Sequence, residues 1–280
     1  FDGEAARAFG NSQAGQFAQI DLADSALPAV EQIPEHLRDA AQRKIILRRP
    51  FSFCDLDVRG DKCFVEILYC VVGPSSVRMM NLGRDARVSV IGPLGRGFWL
   101  PNGKKKAAFI IGGMGAGPLQ HFGKVLTKEH PEIEVTVFAG AKSKGELPFV
   151  RLDEIAAGLG FSLAEFGRQG IESHIATDDG SAGFKGFVTD CFSEWLKENK
   201  VKSDEMVIYA CGPEAMLAKV AQIAKGRYIE CQVSMERRMG CGIGICQSCA
   251  VLCRNNGTNE TFYKLCCKDG PVFDAKEVVF

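Results

Sequence analysis

The chain has 280 residues, room for about two domains of ordinary size, and 46% of them are hydrophobic, enough for real cores. Lys plus Arg and Asp plus Glu both number 34, so the net charge is zero and nothing favours a nucleic acid or an anionic membrane surface. The longest apolar runs, such as Ala107–Ile111, are too short to span a bilayer, and no signal peptide is visible. Twelve cysteines in a chain of this size do not read as a small secreted disulfide scaffold. A reducing cytoplasm is expected, with Cys54, Cys63, Cys70, Cys191 and Cys231 as ordinary buried thiols. The chain begins at Phe1 without an initiator Met, so residues are expected to be missing from its start.

The first hundred residues read as β-rich. Gly15–Leu22, Lys44–Arg48, Cys63–Val72 and Arg87–Ile91 are short apolar or β-branched segments bounded by Gly, Pro and Asp, as in a small antiparallel barrel. The polar stretch Ala23–Arg43 reads as a surface insertion with a short helix at Glu35–Gln42. In Arg48-Arg49-Pro50-Phe51-Ser52 a guanidinium can clamp phosphate, an aromatic can stack on a ring and a hydroxyl can bond a second oxygen. The alternative is a surface arginine pair beside a core phenylalanine. Gly92-Pro-Leu-Gly-Arg-Gly-Phe98 is a turn-rich connection.

After Pro101 strands and helices alternate. Ala107–Ile111, Ile133–Gly140, Phe161–Phe166, Ile171–Ala176 and Met206–Ala210 are strand candidates. Leu119–Lys128, Gly186–Glu198 and Pro213–Lys225 read as helices. This order predicts a parallel sheet in a doubly wound α/β domain. The first strand runs into Gly112-Gly113-Met-Gly115-Ala-Gly117-Pro118, where glycines let the backbone approach a pyrophosphate at a helix N-terminus. The order is not G-x-G-x-x-G, and such turns also serve tight packing. Cys211-Gly212-Pro213 follows the last strand, on the same carboxyl side of the sheet, and Cys211 is a candidate neighbour of a nicotinamide ring.

The last fifty residues carry the strongest pattern. Cys241, Cys246 and Cys249 stand as C-x4-C-x2-C, and Cys267 follows. This is the spacing with which plant-type ferredoxins hold a [2Fe-2S] cluster. Gly242 and Gly244 allow the loop to wrap the cluster and turn amides toward sulfur. A structural zinc site is the competing reading, but zinc usually takes two paired short spacings, and only Cys246/Cys249 makes one.

Taken together, the motifs resemble the ferredoxin–NADP reductase superfamily and, more narrowly, the family of electron-transfer subunits of heterotetrameric dihydroorotate dehydrogenase. The matching pieces are Arg49-Pro-Phe-Ser52, Leu68-Tyr-Cys-Val-Val-Gly73, Gly92-Pro-Leu-Gly95 and Thr177-Asp-Asp-Gly180. Gly186-Phe-Val-Thr189, Tyr209-Ala-Cys-Gly-Pro-Glu214 and Cys267-Lys-Asp-Gly-Pro-Val-Phe273 complete them. The resemblance implies an FAD-binding barrel over residues 1–100, a NAD-binding α/β domain over 101–226 and a [2Fe-2S] module over 227–280. It implies FAD contacts from Arg49, Pro50, Phe51 and Ser52, from Leu68, Tyr69 and Cys70, and from Ser75 and Ser76, which stand where the family has Gly-Thr. It maps the fourth cluster ligand to Cys267, with adjacent Cys266 as its rival.

The expected function is electron transfer between a flavin-containing catalytic subunit and NAD in dihydroorotate oxidation, with no acid–base dyad of the chain's own. Subunits of NADH-dependent ferredoxin–NADP reductases or sulfide dehydrogenases are the alternative. A non-enzymatic iron–sulfur adaptor or sensor is the alternative of another class. Two departures stand out: the insertion is long for the family, and the first barrel strand is missing. Ile243, Ile245 and Gln247, at the tip of the cysteine loop, are expected either to face a partner or to pack inward.

Overall fold

A computed structural model of the protein describes residues 1–151, 163–255, 257–258 and 260–280. The N-terminal region opens with α1 (Gly3–Gly10), a helix absent from the sequence reading, which buries Ala6 and Phe9. Strand β1 (Phe17–Asp21) follows, then the polar segment with its short helix α2 (Arg38–Ala41) and strand β2 (Arg49–Ser52). A hairpin, β3 (Asp55–Arg59) and β4 (Lys62–Glu66), leads to α3 (Pro74–Met79) and β5 (Ser89–Leu94).

β1 is the centre of a three-stranded antiparallel sheet, β2-β1-β5, while β3 and β4 form a two-stranded sheet. The antiparallel region is thus two sheets rather than one continuous barrel sheet among the described residues. The chain start makes one bridge, Asp2 to Lys62, and the Phe1 amine donates to Cys63 O at 3.0 Å. α1 then packs across the hairpin.

Two expected strands move. Lys44–Arg48 is irregular, because only Ile45 turns inward while Ile46 is 82% exposed; pairing with β1 starts at Arg49, opposite Ile20. The strand expected over Cys63–Val72 stops at Glu66, and Leu68 leaves the hairpin to pack against the next domain. The 23–43 segment is not a loose flap: Ile33, Leu37 and Ala41 form a small core with Val77 of α3. Arg78 Nη1 donates to Ala41 O at 2.9 Å and Asn81 Nδ2 to the carbonyls of Ala26 and Leu27 at 3.3 Å.

The second half alternates as expected. It runs β6 (Lys106–Gly112), α4 (Ala116–Glu129), β7 (Glu134–Ala141), α5 (Ala164–Gly167), β8 (Glu172–Thr177) and β9 (Phe184–Lys185). It continues with α6 (Val188–Glu198), β10 (Met206–Cys211), α7 (Glu214–Arg227) and β11 (Glu230–Ser234). The expected strand Phe161–Phe166 is corrected: 161 and 162 lie outside the described residues, and Ala164–Gly167 is one helical turn with Phe166 buried. The chain then makes the hairpin β12 (Ala250–Arg254) and β13 (Thr261–Leu265) and ends on β14 (Val272–Asp274).

The large sheet has the order β14-β11-β10-β6-β7-β8-β9, parallel throughout except for β14. Ala107–Ile111 are buried on both faces, as a central parallel strand covered by helices requires. One face packs Phe138, Phe192 and Leu217 under α6 and α7; the other packs Leu119, Phe122 and Tyr209 under α4. The cysteine segment is an excursion between two adjacent strands: the chain leaves the sheet at Ser234 and re-enters beside it at Val272. Among the described residues no helix is long and apolar enough to cross a membrane.

The two halves are fastened together. Lys124 Nζ of α4 grips both carboxylate oxygens of Asp55 at 2.6 and 2.8 Å and reaches Leu56 O at 3.3 Å. Phe17 of β1 packs in the core that also holds Cys249 and Cys267.

Candidate cofactor sites

The cysteine loop folds its main chain around its own sulfurs. The amides of Ile245 and Cys246 point at Cys241 Sγ at 3.4 and 3.3 Å, and the Cys241 amide points at Cys246 Sγ at 3.4 Å. The Ser248 hydroxyl lies 3.2 Å from Cys246 Sγ and accepts from the Gly240 amide at 3.0 Å. That hydroxyl first, and then the Cys241 amide, hold the Cys246 thiol down to about 6. The Cys246 and Ile243 amides lower Cys241 likewise. Donors aimed at sulfur favour the thiolate, which is the ligating form. Ser248 was missed from sequence; its signal is a small hydroxyl two residues after a loop cysteine.

Gly242 and Gly244 take φ of +73° and +86°, a region that side chains rarely adopt. Cys249, in the turn just before β12, and Cys267, in the turn after β13, lie together, with the Cys267 amide 3.4 Å from Cys249 Sγ. Cys266 turns the other way: fully buried, it donates to Met235 O at 3.2 Å, and burial pushes it up to about 12. Cys253 is buried in the same core. The cysteines stand as two pairs, Cys241 with Cys246 on the loop and Cys249 with Cys267 beside it, an arrangement that suits a two-iron group. Ile243 and Ile245, 47% and 75% exposed, and Gln247, also exposed, do not pack inward.

At the carboxyl ends of the adjacent strands β6 and β10, two expected turns meet. A Cβ on Gly115 would lie 2.0 Å from Cys211 O, and one on Gly112 would lie 2.7 Å from Pro213 Cδ. One on Gly212 would come 2.9 Å from Gly112 Cα. These three glycines let the turns touch each other. Gly113, with φ +50° and nothing near its missing Cβ, is the open one. Gly117 faces Cys54 and Leu68 at 3.8 Å, so it joins the two halves, and Pro118 is buried. Cys211, at the strand end, is pushed up to about 12 by burial.

Arg49, Pro50, Phe51 and Ser52 are all half-buried on β2. Arg48 is engaged by Asp21 at 3.5 Å and by Ser89. Arg49 donates to the carbonyls of Leu47 and Arg48, at 3.3 Å, and has no carboxylate partner among the described residues. Phe51 leans on the small core of Ile20, Leu22 and Ile45. The serine pair divides: Ser76 Oγ accepts from the amides of Val72 and Gly73 and donates to Gly73 O, so it caps α3. Ser75 Oγ is buried without a partner among the described residues. A guanidinium without a carboxylate partner and an unpaired buried hydroxyl fit a phosphate-bearing cofactor. Tyr69 is half-buried and Cys70 exposed, so Cys70 is not the buried thiol expected.

Comparison with known proteins agrees with this layout. Residues 236–279 match the family described as the iron–sulfur cluster binding domain of dihydroorotate dehydrogenase B, and residues 109–222 match the oxidoreductase NAD-binding domain. The dihydroorotate dehydrogenase B (NAD(+)) electron transfer subunit of Geobacillus sp. strain WCH70 is 36% identical over 246 residues, 87% of this chain and 84% of that protein. The subunit of the same name from Desulforamulus reducens is 33% identical, covering 94% and 92%.

Among solved structures, the NADH-dependent reduced ferredoxin-NADP oxidoreductase superposes with a TM-score of 0.72 at 22% identity, over 98% of this chain and 82% of that one. A ferredoxin NADP+ reductase from Neisseria gonorrhoeae gives 0.51 at 14%, over 77% and 80%. Both share the fold. With the cysteine loop, the paired glycine turns and this identity over most of its length, the chain belongs to the family of dihydroorotate dehydrogenase B electron transfer subunits.

Proposed function

We propose that this oxidoreductase subunit passes electrons between NAD(H) and a flavin-containing catalytic subunit through FAD and a [2Fe-2S] cluster, in the oxidation of dihydroorotate to orotate. The observation that carries the reading is the cysteine loop, whose amides already aim at the sulfurs of Cys241 and Cys246. Cys241, Cys246, Cys249 and Cys267 hold the cluster. Arg49 and Ser75 hold the FAD pyrophosphate, Phe51 and the Leu68–Cys70 segment flank the ring, and Ser76 shapes the turn beneath it. The Gly112–Pro118 and Cys211–Pro213 turns receive the nicotinamide nucleotide, with Gly113 as the open position. When bound, FAD exchanges hydride with the nicotinamide and single electrons with the cluster.

The chain's own groups bind and orient; no side chain is assigned a proton transfer. Three working units follow: residues 1–100 for FAD, 101–226 for NAD and 227–280 for the cluster, with β11 of the last unit built into the nucleotide sheet. Exposed Ile243 and Ile245 face the catalytic subunit, where an apolar tip is better placed than in water. A cytoplasmic setting keeps the thiols reduced until iron arrives.

The test is an absorption spectrum of anaerobically purified protein with iron, sulfide and flavin assays, and size-exclusion of native extract. Flavin bands over a sulfide-to-iron envelope, in a complex well above 30.4 kDa with a second polypeptide, are expected. A colourless protein refutes the cofactor assignment. A lone monomer with full NADH-linked activity refutes the partner.

A further inference from the structure

The side chain of Gln19 takes no part in the hydrogen bonding among the described residues. It is 0% exposed, and neither Nε2 nor Oε1 has a partner among the described residues. It sits mid-strand in β1, opposite Pro50 of β2 on one side and Ile91 of β5 on the other. An apolar side chain would satisfy that position at no cost, whereas a buried amide without a partner is destabilising.

The side chain lies against the cysteine loop. A Cβ on Gly242 would come 2.2 Å from Gln19 Nε2, 2.6 Å from Cγ and 2.7 Å from Cδ. Gly242 directly follows Cys241. A glycine is thus needed there twice, for its φ of +73° and for room to admit this carboxamide. Phe17, two residues before Gln19 and therefore on the same face of β1, packs in the core with Cys249 and Cys267. The face of β1 that carries Gln19 is the face turned to the cysteines.

We infer that Gln19 Nε2 donates a hydrogen bond to the sulfur shell of the cluster held by those cysteines, so that the antiparallel domain sets the cluster's reduction potential. The inference rests on the four-cysteine reading above. Thiolate and sulfide are acceptors only, which matches the N–H end of the amide that lies nearest the loop. The cluster couple takes one electron with no bond made or broken. A donor to sulfur stabilises the more negative, reduced form and raises the potential.

The experiment is an EPR-monitored dithionite titration of the holoprotein, wild type against Gln19→Leu and Gln19→Asn, with the flavin followed by absorbance. Gln19→Leu should titrate lower, by enough to change the oxidised-to-reduced ratio about tenfold at a given potential, roughly 59 mV for one electron. Gln19→Asn should fall between, and FAD content and flavin potential should stay unchanged. An unshifted cluster overturns the inference, as does a shift confined to the flavin.

Wild-type protein with glutamine side-chain ¹⁵N gives a readout free of folding effects at position 19. The reduced cluster should show a coupled ¹⁵N that survives Gln247→Glu, and its absence overturns the inference. Failure of the wild type to hold iron and sulfide refutes the four-cysteine reading itself.

Discussion

Arg49→Ala separates cofactor binding from folding. Among the described residues the guanidinium bonds to the carbonyls of Leu47 and Arg48 alone, both at a long 3.3 Å. Its removal should therefore cost the fold no more than about 1 kcal/mol. A charge-assisted contact to a phosphate contributes about 1.5–3 kcal/mol, so FAD affinity should fall roughly tenfold to a hundredfold. The assay is flavin fluorescence quenching on the flavin-stripped, cluster-loaded protein. Arg48→Ala is the control, because Arg48 is already held by Asp21 and Ser89. It should leave FAD affinity unchanged and move stability by less than about 1 kcal/mol, as for a surface ion pair. Equal FAD affinity in Arg49→Ala and wild type, or an equal loss in both variants, would refute the reasoning.

Cys267→Ser should lose iron and sulfide while Cys266→Ser keeps both, because only Cys267 faces Cys249; the visible spectrum reports the difference. Gly115→Ala forces a methyl to 2.0 Å from Cys211 O. It should destabilise the protein by about 1–3 kcal/mol and weaken NADH binding, read by thermal melts and titration. His121 is buried, its Nδ1 has no partner, and burial holds it down to about 4. The unfolded chain takes up that proton near pH 6.5 and the folded chain only near 4. Stability is therefore lost as pH falls between those values, by roughly 3 kcal/mol in all. His121→Gln should flatten that limb of the denaturation profile; His174, lowered chiefly by burial, keeps some slope. An unchanged limb would show that His121 is not held neutral.

The parallel sheet and the cysteine loop were legible because each has a local signature. Ala107–Ile111 is apolar without interruption, as only a doubly covered strand is, and the 241–246–249 spacing belongs to one kind of ligand set. The failures came where tertiary contact decides. Ile45-Ile46-Leu47 looks like a strand, yet one inward isoleucine anchors it and the pairing strand begins two residues later. α1 is only eight residues long and carries a single buried pair, Ala6 and Phe9. Ser75 and Ser76 were read together in the place of a Gly-Thr pair; local capping takes Ser76 and leaves Ser75 unpartnered among the described residues. Nothing local marks Gln19, because its meaning comes from Gly242, which lies far along the chain.

The excursion from Ser234 to Val272 has a consequence for how the protein is made. A ribosome delivers Cys241, Cys246 and Cys249 well before Cys267, and β14 only after it. Until β14 docks beside β11, the segment bearing the cysteines is tethered at one end only. On the proposed ligand set the site is completed only once Cys267 has been made, after strands β6 to β11 of the sheet it borders, so that a chain stalled before Cys267 would offer the metal three of its four ligands.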